Sequence, residues 1–200
     1  STRPEKQRVQ FPAATVLTGA NASGKTTLSK AVLIAAISAQ QSGTGCFESA
    51  QFAPFAQFHC CINAVDSSAP ESLFQKEALQ CRAVLRAVTD KDANKDKDAN
   101  NKNPARKLCV FDEPFSGTNA DDGVKCGSAM LSFLAEQGAT TITTTHLDRL
   151  ADAVPKHGRM CIDSAAGKPF QVTPGVYREK RGMQMLTQLE FPREMIQRAK

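Results

Sequence analysis

The strongest chemical signal in the chain is one eight-residue loop, Gly19-Ala20-Asn21-Ala22-Ser23-Gly24-Lys25-Thr26. It follows a short apolar, β-branched run, Ala14–Thr18, and leads into a Leu-, Ala- and Ile-rich stretch, Thr26–Ala39. A strand passing into a helix through GxxxxGK[ST] is the setting in which that pattern cradles a triphosphate. The glycines let successive backbone N–H groups converge on an anion, and the helix N-terminus adds partial positive charge at the same point. Lys25 is placed to reach the β- and γ-phosphates, and the Thr26 hydroxyl to ligate Mg2+. On its own the loop fits ATP or GTP equally well.

A second group supplies acid-base chemistry. Leu108-Cys109-Val110-Phe111 is an apolar strand ending in Asp112-Glu113. Strand ends are where ligands sit in open α/β sheets. Alone, two carboxylates after a strand are a common solvated turn. Beside a phosphate loop they read as a metal site, with Asp112 holding Mg2+ mostly through water. Glu113 would then orient and polarise the attacking water. His146 closes the β-branched run Thr140–Thr145 at the same sheet edge. It could hydrogen-bond the γ-phosphate or the water. His59 and His157 lack that context and read as structural.

These residues need a scaffold, and the patterning supplies one. Ala14–Thr18, Leu108–Phe111 and Thr140–Thr144 read as buried strands, and Phe58–Val65 as a further short one. Thr26–Ala39, Glu71–Val88 and Asp121–Gln137 carry helical spacing, and Leu147–Val154 should be a short helix. Met160–Ile162 and Gln171–Tyr177 suggest an edge hairpin, with two short helices, Gly182–Leu189 and Pro192–Lys200, at the end. Strands alternating with helices predict an α/β fold with a largely parallel sheet. Asp90–Asn103 repeats KDAN and is almost devoid of apolar residues, so it reads as a flexible surface insertion.

With 200 residues, 41% of them hydrophobic, the chain suits one globular domain. Ala31–Ala39 is the longest apolar run, too short for a membrane span. A net charge of +5 permits a nucleic-acid partner without requiring one. The seven cysteines form no CxxC pair, which points to free thiols in a reducing intracellular compartment rather than disulfides or zinc. Lacking an initiator methionine and opening just before a core strand, the chain reads as part of a longer polypeptide.

Phosphate loop, Asp-Glu at a strand end, then a histidine one strand later is the order of ABC-type ATPases. Phe111-Asp112-Glu113-Pro114-Phe115-Ser116-Gly117 looks similar to theirs, but the LSGGQ signature is absent before Asp112. More specific is the resemblance to the MutS family of DNA mismatch-repair and related proteins. Thr18 to Thr27 resembles that family's phosphate loop, asparagine included. Ser72-Leu73-Phe74-Gln75-Lys76-Glu77 looks like its signature helix, with Ser, Phe and Glu in place. Gly117-Thr118 and Asp122-Gly123 follow the carboxylates at the family's spacing, and Thr144-Thr145-His146 resembles its Ala-Thr-His. Gly182 to Pro192 followed by Glu194–Ala199 is similar to its closing helix-turn-helix. Only Asp90–Asn103 falls outside the resemblance.

The resemblance implies a P-loop NTPase domain of the ABC-ATPase type over residues 1–180, interrupted by an insertion at 89–105. A helix-turn-helix dimerisation segment would occupy 181–200, with further domains upstream in the full protein. It implies ATP and Mg2+ as cofactors. Gly19, Ala20, Asn21, Ala22, Ser23, Gly24, Lys25, Thr26 and Thr27 would bind the nucleotide. Thr26 and Asp112 would hold the metal, and Glu113, His146 and Lys25 would serve catalysis. Ser72 would reach the γ-phosphate of a second MutS-like subunit, identical or not. DNA would be held by domains outside this chain, and no membrane is implied. Three departures stand out: Pro114-Phe115-Ser116 after Asp-Glu, Leu189-Glu190 where the family has small residues, and no adenine-stacking aromatic upstream of the loop beyond Phe11. An idle MutS-like scaffold in a nucleoprotein assembly and an ABC-type transport subunit are the competing readings.

Overall fold

A computed structural model describes residues 8–21, 23–62, 73–90, 106–163, 171–178, 187 and 189–198. The six strands are β1 (Ala14–Gly19), β2 (Gln57–Cys61), β3 (Lys107–Asp112), β4 (Thr140–Thr145), β5 (Arg159–Asp163) and β6 (Gln171–Pro174). They form one sheet in the order β2-β3-β4-β1-β5-β6. Every pairing is parallel except β5 with β6, which run antiparallel as the expected edge hairpin. Helices α1 (Lys25–Ser42), α2 (Leu73–Thr89) and α3 (Ala120–Glu136) connect the early strands. A short helix, α4 (Arg193–Arg198), lies near the end of the chain.

Alternation along the strands sorts side chains onto two faces. Leu108 and Val110 of β3 pack with Ile142 of β4 and with Leu33 and Ala36 of α1. Cys109 and Phe111, one residue out of phase, pack with Cys81, Val84 and Val88 of α2 and Met130 and Leu134 of α3. The sheet is therefore covered on both sides, as a parallel sheet requires. All seven cysteines are free thiols, and burial pushes Cys109 up to about 12, so it packs as a small apolar group.

Most sequence expectations fall within a residue or two of the observed elements. The first helix runs on to Ser42, where Gly43 at φ 70 takes the left-handed cap and its N–H bonds the Ala39 carbonyl. Leu147–Val154, expected to be helical, is instead a 3-10 turn over Asp148–Ala153 that seats Leu150 and Ala151 in the core. The second strand ends at Cys61, and its expected continuation to Val65 lies outside the described residues. Most of the insertion and of the helix expected over 182–189 lies outside them too. Glu190, one of the departures noted above, adopts φ 56 in the turn before Phe191-Pro192. Among the described residues no helix is long and apolar enough to cross a membrane.

Candidate functional site

The connection between strands reverses direction at β1, since β4 lies on one side of it and β5 on the other. A switch point of this kind leaves a crevice at the carboxyl ends of the strands. Three chain segments meet there: the loop after β1, the end of β3 and the end of β4.

The loop closes on α1, whose N-cap is Gly24 at φ 91, a conformation that disfavours residues with a side chain. No side chain caps this helix and no acidic residue sits in its first turn, so its leading N–H groups suit an exogenous anion. At Gly19 a Cβ would stand 2.7 Å from the Ser23 hydroxyl and 2.8 Å from the Ile162 carbonyl, so glycine is required by space alone. The Ser23 hydroxyl is buried and lacks a partner among the described residues, a donor suited to a phosphate oxygen. Lys25 is 4% exposed and donates to the carbonyls of Gly19 and Ala20, each at 3.0 Å.

Asp112 has the parity of Leu108 and Val110, so its side chain leaves the sheet toward α1. There the Thr26 hydroxyl lies 2.9 and 3.0 Å from its two carboxylate oxygens. A hydroxyl and a carboxylate converging in this way fit a divalent cation that would take its remaining ligands from phosphate and water. Among the described residues no cage of three His, Cys, Asp or Glu side chains exists, consistent with so open a site. The pairing of Asp112 with Thr144 across β3 and β4 adds a third participant. The Thr144 hydroxyl donates to Asp112 Oδ1 at 2.5 Å and accepts from the Glu113 N–H at 3.2 Å.

Glu113 breaks the strand alternation. Its φ of 50 is left-handed, unusual for a residue other than glycine, and its N–H also bonds the Thr144 carbonyl at 3.0 Å. The carboxylate then stands 3.5 Å from Lys25 Nζ and 3.6 Å from His146 Nδ1. Hydrogen bonding to His146, then the nearby Lys25 charge, holds the Glu113 carboxyl below its ordinary range against the opposing effect of burial. The same contact pushes His146 up. Glu113 is thus kept ionised, the state a base requires.

Lys25, Thr26, Asp112, Glu113 and His146 therefore converge, while Gly19, Ala20, Ser23 and Gly24 frame the loop. Asn21 and Thr27 are exposed at its rim, and Ala22 and Ser72 lie outside the described residues. Phe11 is partly buried against the clusters around Leu33 and Leu17. His59 bonds Gln57 on β2, away from these groups. Sequence reading overlooked Thr144, whose part depends on strand register. It also gave no role to Glu77, a buried carboxylate treated below.

A family model for MutS domain V matches residues 15–200. A Listeria monocytogenes protein called DNA mismatch repair protein MutS is 30% identical over 198 residues, covering 92% of this chain and 21% of that protein. Its namesake from Geobacillus thermodenitrificans is 33% identical over 151 residues, covering 73% and 15%. One from Macrococcus caseolyticus is 27% identical over 197 residues, covering 92% and 21%. The chain spans about a fifth of the length of these relatives. Because the family match runs from β1 through the loop, both carboxylates and His146 to the end of the sequence, the chain belongs to the MutS domain V family.

Proposed function

We propose that this chain is the Mg-ATP-hydrolysing domain of a MutS-family protein acting on DNA, and that it works in a dimer with a second MutS-like domain. The observation that carries the reading is the approach of Thr26 to Asp112 at 2.9 and 3.0 Å, with Lys25 and Glu113 3.5 Å apart beside them. The phosphate loop and the acidic strand end thus lie close enough to share one ion and one triphosphate.

Lys25 and the leading N–H groups of α1 would hold the β- and γ-phosphates. Thr26 and Asp112 would hold magnesium, which when bound would neutralise charge developing on the phosphates. Glu113 would polarise the attacking water and receive its proton, with His146 bonded to the same carboxylate. Ser72, just before α2, would complete the γ-phosphate site of the partner domain, in the manner of ABC-type ATPases. Residues 181–200, including α4, would serve dimerisation as a helix-turn-helix. DNA contact would belong to other parts of the protein, and the names of the relatives point to mismatch repair.

Glu113→Gln separates binding from chemistry. It should leave ATP binding intact, lower turnover by about 10²–10⁴-fold, and make the Mg-ATP-bound dimer persist in light scattering. Turnover equal to wild type would remove Glu113 from the mechanism. A wild-type protein that binds ATP without turning it over would favour the idle scaffold.

A further inference from the structure

Glu77 sits one turn into α2 and is 2% exposed. A carboxylate so deeply buried is costly unless hydrogen-bonded. Both of its oxygens are engaged, and both by the segment that follows Glu113. Ser116 Oγ donates to Oε1 at 2.7 Å, and the Gly117 N–H donates to Oε2 at 3.0 Å.

Two further contacts join the same partners. The rings of Phe74 and Phe115 lie 6.3 Å apart at 51°. Gly117 is pressed against the start of α2, where a Cβ would meet the Phe74 nitrogen at 2.7 Å. Between them the chain is bent hard: Glu113 has φ 50 and Phe115 φ 60, on either side of Pro114. Left-handed residues other than glycine are energetically costly and persist where surrounding contacts impose them. Here the imposing contacts come from the first two turns of α2. The Glu77 charge also contributes to raising His146, which places this carboxylate within electrostatic reach of the Glu113–His146 pair.

We propose that Glu77 is a positioning residue for Glu113: by holding Ser116 and Gly117 it fixes the bent segment that aims the water-polarising carboxylate, and it ties that carboxylate to the end of α2 adjoining Ser72. The inference rests on the catalytic reading of Glu113 above and adds to it a route of regulation. A second MutS-like domain engaging the start of α2 would act on Glu113 through this joint, so that assembly and water activation are coupled.

The test uses the full-length protein, with steady-state Mg-ATP turnover, nucleotide affinity from a fluorescent ATP analogue, and thermal unfolding. Glu77→Ala removes both hydrogen bonds and should lower kcat by about tenfold or more with KM and nucleotide Kd within about twofold. Glu77→Gln can accept from the Gly117 N–H and donate to the Ser116 hydroxyl, so it should keep kcat within about threefold of wild type. Ser116→Ala removes one bond and should fall between the two.

A folded Glu77→Ala protein with wild-type kcat would overturn the proposal. So would a Glu77→Gln protein as impaired as Glu77→Ala, because charge rather than hydrogen-bonded position would then matter. If Glu77→Ala does not fold, unchanged kcat in Ser116→Ala overturns it instead. A wild-type protein that does not hydrolyse ATP would remove the role of Glu113 itself, and with it that of Glu77, an outcome distinguishable from failure of the variants alone.

Discussion

Thr144→Val tests the site by removing one hydroxyl and little else. Thr144 is fully buried, and its hydroxyl makes the 2.5 Å bond to Asp112 Oδ1. Valine keeps the β-branched shape that suits a central strand. The Glu113 N–H would not be orphaned, because it also bonds the Thr144 carbonyl at 3.0 Å. The loss is then one hydrogen bond to a charged acceptor, about 1.5–3 kcal/mol. For a domain of this size each kcal/mol lowers Tm by about 2–4 °C, so a drop of roughly 3–12 °C is expected in scanning fluorimetry. Asp112 would keep Thr26 but lose its second hydroxyl. Loss of such a supporting contact should raise the Mg2+ concentration needed for half-maximal turnover by about tenfold or more. A variant whose Tm lies within about 1 °C of wild type would refute the claim that this hydroxyl holds an ionised Asp112.

The Glu113–His146 pair predicts a pH window. The Glu113 contribution to stability is present above its ordinary 4.5 and is lost as pH falls through its lowered value. That of His146 is complete below its ordinary 6.5 and is lost as pH rises through its raised value. His146→Ala removes the main cause of the lowered Glu113 value, so the acid limb of its kcat–pH profile should move to higher pH, and an unmoved limb would count against the pair. Gly117→Ala places a Cβ 2.7 Å from the Phe74 nitrogen and 2.9 Å from Leu73 Cγ. It should destabilise the domain by about 1–3 kcal/mol and reduce kcat more than nucleotide affinity, and a fully active, equally stable variant would show that this close approach is not maintained.

The parts of the molecule legible in its sequence were those with a periodic or positional signature. Strand runs such as Leu108–Phe111 and the Gly24-Lys25-Thr26 turn declare themselves locally. The parity of Asp112 with Leu108 and Val110 already points its carboxylate toward α1. Thr144 was hidden because a run of threonines does not show which hydroxyl will stand opposite Asp112. That depends on the pairing of β3 with β4. Glu77 could have been found, since it lies on one helical stripe with Cys81, Val84 and Val88, all buried. A carboxylate on an apolar stripe must have partners. The bends at Glu113 and Phe115 left no trace in composition because neither residue is glycine. They are imposed by tertiary contacts with α2 and β4, which no local propensity encodes.

The central claim is that the loop ending in Lys25 holds a triphosphate. Titration calorimetry of the wild type and of Lys25→Ala with Mg-ATP tests it most directly. Removing the ammonium should weaken binding by at least about tenfold, through loss of charge-assisted bonds of about 1.5–3 kcal/mol. Equal affinity in the two proteins would contradict it.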